Sequence, residues 1–309
     1  MKKSTLLLGV TFCISGAFAQ DLTSKLGEPM LPEEGDWAIS MNVDPIFNFI
    51  GNAFNANNSN SAPQVGFLNG DGTIVGKKFI DEKSAYRALL RLGFTSQTNK
   101  NFVNDDAIVT APTFPTPFPQ KEDKFSRKST MIGIGVGKEF RRGITRLQGF
   151  YGADAMIWMA STSSKYTYGN TMTAVAAPGV TPTPMSTTWD ETTGAIISET
   201  ALADRPALSK SGMTLGIGVR GFIGVEYFIL PKIAIGAEYG WGIGFQLTGK
   251  GKEANETTGG IAPGTVGVVE TEVDGSSKFG FDTDLNQGTI FGFHGSNTGT
   301  ASLRATFHF

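Results

Sequence analysis

The chain has 309 residues and nearly balanced charge, 26 Lys and Arg against 28 Asp and Glu, so it lacks the basic excess typical of nucleic-acid binding. After the first twenty residues, no stretch is long and apolar enough to form a membrane-spanning helix. One cysteine and two histidines make disulfides, thiol catalysis and metal clusters poor explanations of the chain.

The N-terminus predicts a secretory signal peptide. Met1–Lys3 is basic, residues 6–14 form an apolar core, and Gly16–Ala19 supplies a cleavage site of small residues. A lipoprotein signal is the alternative, but Phe12 is bulkier than the residue that such a signal places before its cysteine, Cys13. Cleavage near Ala19 would therefore leave a mature chain without cysteine.

Eight segments of strand length follow, and most alternate between apolar and polar residues. They lie near 37–49, 72–79, 86–94, 130–140, 147–157, 213–227, 235–245 and 301–309. In the third segment, Leu90 and Leu92 alternate with Arg87 and Arg91. Because a strand has a period of two, one face is apolar and the other is charged.

The connections between these segments alternate between short and long. Short turns lie near 80–83, 141–144 and 229–232, and long polar loops near 52–66, 97–127, 160–211 and 248–296. This asymmetry is typical of outer-membrane barrels, which have short periplasmic turns and long extracellular loops.

The pattern predicts an all-β fold, a transmembrane antiparallel up-and-down β-barrel of about eight strands. Ten strands are possible, with Thr289–Phe293 as a candidate extra segment. The predicted domains are the signal peptide (1–19), a periplasmic segment (20–35) and the barrel (36–309). A soluble sandwich or lipocalin-like barrel is disfavoured, because such folds do not normally bury Arg, Glu and Asp in mid-strand.

Two stretches resemble a known family. Leu26–Ile39 runs into Asn42, Pro45, Phe47 and Gly51–Asn52, and Gly76–Phe79 precedes the strand Tyr86–Phe94. Together they resemble the small outer-membrane β-barrel proteins common in Bacteroidetes. The resemblance implies an outer-membrane location in a Gram-negative bacterium, and it implies architecture and not a reaction.

Charged residues on the polar faces predict an ion-pair network in the lumen. They are Arg87, Arg91, Glu139, Asp154, Arg220, Glu238 and Arg304. Counting from the short turns, the expected pairs are Asp154–Arg220, Glu238–Arg304 and Arg87–Glu139. Buried charges need partners, so a network that plugs the narrow lumen is expected. The alternative is a charged constriction in a porin-like channel, which the inward glycines favour by leaving space for water.

Outward aromatic residues near strand ends predict an interfacial girdle. They are Trp37, Tyr86, Tyr151, Tyr227 and Tyr239. At the C-terminus, Phe307 and Phe309 end an alternating strand, which resembles the signal read by the barrel-assembly machinery.

These features predict an outer-membrane protein with a structural or surface-interaction role through its extracellular loops. A narrow passive channel is the alternative, and a loop-borne enzyme using His294 with Asp105 and Asp106 is the third hypothesis. His308 is expected to be a polar lumen residue. The expected partners are membrane lipid and lipopolysaccharide, the assembly machinery and an unidentified extracellular ligand. The sequence predicts no catalytic group, cofactor or metal.

Overall fold

The computed structural model describes residues 22–24, 26–54, 73–108, 112–172, 183–258, 265–282 and 301–309. The strands in these ranges are β1 (Trp37–Asn42), β2 (Ile74–Asp81), β3 (Ser84–Asn104), β4 (Gln120–Arg142), β5 (Leu147–Thr167), β6 (Met185–Trp189), β7 (Ile196–Ala201), β8 (Asp204–Lys210), β9 (Thr214–Leu230), β10 (Ile233–Thr248), β11 (Gly251–Thr258), β12 (Val266–Val273), β13 (Ser276–Asp282) and β14 (Ala301–His308). One helix, α1 (Asp44–Phe54), follows β1. The predicted signal peptide, the candidate strand Thr289–Phe293 and His294 lie outside the described residues.

Eight of these strands form a closed antiparallel ring. The order around it is β1, β2, β3, β4, β5, β9, β10 and β14, and β14 pairs back with β1. Phe309 completes the closure, because it exchanges two backbone hydrogen bonds of 2.8 Å with Trp37. The predicted all-β antiparallel architecture is confirmed and the fold is barrel-like, whereas its insertion in a membrane stays a prediction.

The two faces of the ring have opposite character. On β9, Val219 and Val225 are 52% and 49% exposed, whereas Arg220 and Glu226, on the other face, are 1% and 2% exposed. The apolar side chains thus lie on the outside of the ring and the charged side chains inside it. We call the end with the short turns and Trp37 the turn end, and the opposite end the far end.

The ring strands β3, β4 and β5 extend beyond their predicted far ends. Their pairing continues without a break from Ser84↔Phe140 to Asn104↔Gln120, and β5 continues to Thr167. The loop prediction is therefore wrong for 97–104, 120–127 and 160–167. The extensions carry polar residues on both faces, so the apolar alternation that reveals a strand in sequence is lost there.

Short strands occupy much of the remaining predicted loops. The pair β6–β7 forms a separate two-stranded sheet, and β8, β11 and β12 continue the main sheet from the far end of β5. Strand β13 pairs with the far half of β10, beside the shorter β14. The predicted loops 160–211 and 248–296 thus contain regular sheet over much of their described length.

The first predicted strand, 37–49, is wrong beyond Asn42, where α1 replaces it. Pro45 has no backbone N–H, a donor that a central strand needs and the first turn of a helix does not. Within the described ranges, no helix has the length and hydropathy that crossing a membrane requires.

Candidate functional site

Charged side chains fill the interior of the ring. Apart from Asp123 and Arg205 at the far end, nine charged side chains of the described residues are each at most 4% exposed. The cations are Lys77, Arg87, Arg141, Arg220 and Arg304, and the anions are Glu139, Asp154, Glu226 and Glu238. Charges buried this deeply are stable only when ion pairs and hydrogen bonds compensate for lost hydration, so their contacts determine whether the interior is closed.

Two glutamates organise the half of this network nearer the turn end. Glu139 contacts Lys77 at 2.9 Å and both Arg87 and Arg141 at 3.1 Å. Glu226 contacts Lys77 at 2.9 Å and Arg141 at 2.6 Å. Each carboxylate is thus shared between at least two cations, and no pair in this half stands alone.

Arg87 connects this half to a second one. Its guanidinium lies 3.0 Å from Glu238 and 3.3 Å from Asp154, and Arg220 contacts the same two carboxylates at 2.8 and 3.2 Å. Strands β3 and β10, which carry Arg87 and Glu238, lie four positions apart in either direction around the ring. The bridge between them therefore crosses the full width of the lumen, as does the bridge from Lys77 on β2 to Glu226 on β9.

The structure brings together two of the three pairs expected from sequence, Asp154–Arg220 and Arg87–Glu139. The third is replaced, because the β10–β14 register places Arg304 opposite Gly236 and not opposite Glu238. Arg304 instead donates to the Ser40 hydroxyl at 2.9 Å and to the backbone carbonyls of Ser40 and Thr73, both at 3.1 Å.

Sequence reasoning missed three members of the network. Lys77 lies on the second predicted segment, where the alternation is weak, and Arg141 lies in the predicted turn near 141–144. Glu226 was recognisable, because the alternation that places Arg220 inward continues to it along β9. Conversely, the predicted member Arg91 is half-buried. It lies on β3 four residues beyond Arg87, toward the far end.

Apolar and aromatic groups pack on both sides of the charges. On the far-end side, Val75, Leu89, Met156 and Trp158 form a buried cluster. On the turn-end side, the His308 ring lies between Phe79 and Phe228, with centroids 5.4 and 5.2 Å away. The guanidinium of Arg141 lies 5.4 Å from the Phe79 ring centroid and 5.8 Å from that of Phe228.

The segment before β1 closes the turn end. Met30, 2% exposed, packs on Phe228 and Ala234, which both point into the ring. The Lys232 backbone N–H donates to the Met30 carbonyl at 3.4 Å, and the Lys232 ammonium pairs with Asp36. A hydrophobic side chain thus covers the interior at this end, and an ion pair fixes the segment that carries it.

Inward glycines make room for the long charged side chains. A Cβ at Gly240 would overlap with the Arg220 guanidinium, and one at Gly236 would lie 2.7 Å from Cγ of Glu226. The sequence argument that these glycines leave space for water is therefore not supported at these positions, because neighbouring side chains occupy the space.

We expect Gly240→Val to lower the free energy of unfolding by about 1–3 kcal/mol, because the new methyl groups displace Arg220 from its two carboxylates. Urea unfolding in detergent would measure this. Gly149→Val is the matched control, since a Cβ at Gly149 meets only the Arg142 carbonyl, at an ordinary 3.6 Å. Equal losses in both variants would contradict the space-filling role of Gly240.

The β6–β7 pair, which we call the cap hairpin (Met185–Ala201), covers the inward face of the strands at the far end. The carboxylate of Asp123 on β4, fully buried, accepts the N–H of Gly169 at 2.8 Å and both the N–H (2.8 Å) and hydroxyl (2.9 Å) of Thr187. Phe125 lies between the rings of Tyr166 and Trp189, with centroids 5.2 and 5.8 Å away. The cap hairpin is therefore held by both charge-assisted and aromatic contacts.

Arg205 on β8 connects the cap hairpin to the rest of the far end. It is 2% exposed and donates to the Ser186 hydroxyl at 2.8 Å, the Asn170 carbonyl at 2.7 Å and Glu256 at 2.9 Å. Its guanidinium also lies 4.2 Å from the centroid of the Tyr168 ring.

The turn of the cap hairpin is fixed by its own residues. Asp190 accepts the backbone N–H groups of Thr193 at 2.7 Å and Thr192 at 2.8 Å. These two bonds hold the pKa of the Asp190 carboxyl below its usual value. The carboxylate, which is the form that accepts both bonds, is thus favoured near neutral pH.

The predicted girdle residues lie on the outside of the ring. Trp37, Tyr86, Tyr151 and Tyr227 are exposed near the turn end, whereas Tyr239 is half-buried nearer the middle of β10. Phe307 and Phe309, the predicted assembly signal, are likewise exposed on the outer face at the turn end.

The residues considered for catalysis have structural partners where they are described. Asp105 pairs with Lys121 at 2.9 Å, and Asp106 accepts the Met185 N–H at 2.6 Å. The described part of the chain contains no group of three or more His, Cys, Asp and Glu residues that could hold a metal ion. No family model, curated protein or solved structure matches the chain, so the resemblance to the Bacteroidetes barrels stays a prediction.

Proposed function

We propose that this chain is an integral outer-membrane β-barrel with a closed lumen, and that its ordered far end serves surface interaction outside the cell. The observation that carries the proposal is the inversion of the two faces, with charges inside the ring and exposed apolar side chains outside. Water-soluble barrels have the opposite arrangement, because their interior is the hydrophobic core.

The height of the apolar band supports membrane insertion. On β4, the outward residues between Lys128 and Lys138 are Thr130, Ile132, Ile134 and Val136. Ten residues at about 3.4 Å each and a strand tilt of about 45° give a band about 24 Å tall, close to the ~25 Å typical of outer-membrane barrels. The exposed Trp and Tyr residues at the turn end suit the boundary between lipid and water.

The contacts across the lumen support a closed barrel. Arg87–Glu238 and Lys77–Glu226 join opposite walls, and Met30 covers the turn end. These are the contacts expected of a structural plug, and the same side chains would have to separate before an ion could pass.

The far end supports a role in binding at the cell surface. Buried Asp123 and Arg205 fix the cap hairpin, so neighbouring side chains are displayed on an ordered scaffold. Phe114, 94% exposed, lies in the β3–β4 loop between Pro112 and Pro119. Exposed aromatic side chains on ordered loops are common anchors of protein interfaces.

Two measurements test the proposal. Protein refolded into phospholipid vesicles should migrate faster on a gel before boiling than after it, as a membrane barrel does. The same protein in planar bilayers should give no steady openings, because the charges stay paired. Unchanged migration would contradict the barrel, and steady, salt-dependent unit openings would instead favour the narrow channel.

A further inference from the structure

An alternating row of aromatic and basic side chains crosses the outer face near the turn end. Trp37, Lys78, Tyr86 and Lys138 are directly paired on the adjacent strands β1 to β4. The Lys78 ammonium lies 5.0 Å from the Trp37 ring centroid, and the Lys138 ammonium lies 5.9 Å from Tyr86 and 5.1 Å from Phe140. Both lysines are exposed, so aromatic rings hold two ammonium groups at the outer surface.

An apolar groove begins at Val136 on β4, the next outward position after Lys138 in the direction of the far end. It has a volume of roughly 600 Å³ and lies between two cross-strand rows of side chains. One row is Ile134, Ile157, Ile217, Phe245 and Phe279, and the other is Val136, Ala155, Val219 and Ile243.

Small groups form the floor of this groove. Between the two rows lie three inward-facing glycines, Gly135, Gly218 and Gly244, so the floor there is backbone. The short side chain of Ala155 makes the second row shallower. The groove crosses five strands, and four spacings of about 4.8 Å make it about 19 Å long. Its shape is long and narrow, and all the side chains that line it are apolar.

We propose that this outer wall binds one anionic phospholipid, with its phosphate at Lys138 and one acyl chain in the groove. The inference rests on the proposed function, which places the turn end at the inner leaflet of the outer membrane. A ring-bound ammonium beside an all-apolar groove matches a molecule that has a negative head joined to a hydrocarbon chain.

Charge and shape together favour this occupant. A purely apolar ligand would gain nothing from Lys78 and Lys138, whereas a polar peptide in the groove would leave its backbone groups without hydrogen-bond partners. Asp81 interacts with Lys138 electrostatically, but its carboxylate accepts hydrogen bonds from the Ser84 hydroxyl at 2.7 Å and the Lys83 N–H at 2.7 Å. The Lys138 ammonium therefore remains available to a phosphate.

Tryptophan quenching by a brominated lipid tests the proposal. Trp241 lies on the outer face of β10, one outward position from Ile243 of the groove, whereas Trp158 and Trp189 are buried. In a Trp37→Phe background, delipidated protein in detergent is titrated with phosphatidylglycerol that carries dibrominated acyl chains. We expect quenching to saturate at one lipid per chain, with about fivefold weaker binding of the matching phosphatidylcholine.

Matched variants separate the two parts of the site. Lys138→Gln should weaken phosphatidylglycerol binding about fivefold, whereas Lys128→Gln, at the other edge of the apolar band on the same strand, should not. Ala155→Phe should fill the groove and abolish the saturable phase. Ala237→Phe, on the outer face of β10 away from the groove, should leave it intact.

Insertion into vesicles, judged by migration before and after boiling, is measured for each variant first. Failure of the unsubstituted chain to insert would overturn the proposed function. A chain that inserts but is quenched in simple proportion to lipid, or equally by both headgroups, would overturn the lipid site alone. A lipid-free dimer that is seen by native mass spectrometry and that Ala155→Phe dissociates would also overturn the site, because a second copy would then cover the groove.

Discussion

Glu139→Ala should lower the free energy of unfolding by about 3–5 kcal/mol, the usual cost of removing one partner from a buried ion pair. Glu139 is fully buried and contacts Lys77, Arg87 and Arg141, so its loss affects three cations. The eight buried charges that remain would then comprise five cations and three anions. Urea unfolding of protein folded in vesicles, followed by gel migration without boiling, measures the effect.

Two further variants show whether charge is the cause. Glu139→Gln keeps the size of the side chain and removes its charge. It should therefore lower the free energy of unfolding by most of the amount expected for Glu139→Ala. Glu122→Ala removes an exposed carboxylate on the same strand, 2.9 Å from Lys100, and should cost at most about 1 kcal/mol. A loss at Glu139 as small as that at Glu122 would contradict a central role for the network.

The strands in the middle of the ring were predictable because their two faces differ in character. Apolar side chains lie outside the ring and charged side chains lie inside it. Strands such as β9 and β10 carry an unbroken alternation, and their observed bounds, Thr214–Leu230 and Ile233–Thr248, lie within a few residues of the predicted segments. A period of two survives wherever one face must be apolar and the other polar.

The far end was not predictable by the same means. Polar residues lie on both faces of the β3 and β4 extensions there, and the strand structure depends on pairing that continues from the ring. The cap hairpin depends on buried Asp123 and Arg205, whose partners Thr187 and Glu256 are 64 and 51 residues away in sequence. No local pattern encodes contacts of that kind.

The interior network was predictable in its membership more than in its connections. Depths along the strands can be compared from sequence only between adjacent strands, which suffices for Asp154 and Arg220 on β5 and β9. The bridge from Arg87 to Glu238 joins opposite walls, and it depends on the diameter of the ring and the length of both side chains. Those quantities exist only after the ring has closed.

Asp123→Ala should release the cap hairpin while leaving the ring intact. The substitution removes the acceptor of three hydrogen bonds and leaves the N–H groups of Gly169 and Thr187 without it. Hydrogen bonds to a charged group contribute about 1.5–3 kcal/mol, so amide exchange at these positions should accelerate about 100-fold. Glu270→Ala is the control, because its pair with Lys252, 2.6 Å apart, is exposed.

Migration before and after boiling, measured on the same samples, shows whether the two parts are independent. The ring contacts of Arg87 and Glu139 lie on strand positions far from Asp123, so Asp123→Ala should still migrate as a folded barrel. If gel migration and amide exchange change together, the cap hairpin and the ring unfold as one unit. The far end would then contribute to the stability of the barrel and would not be a separate scaffold for binding.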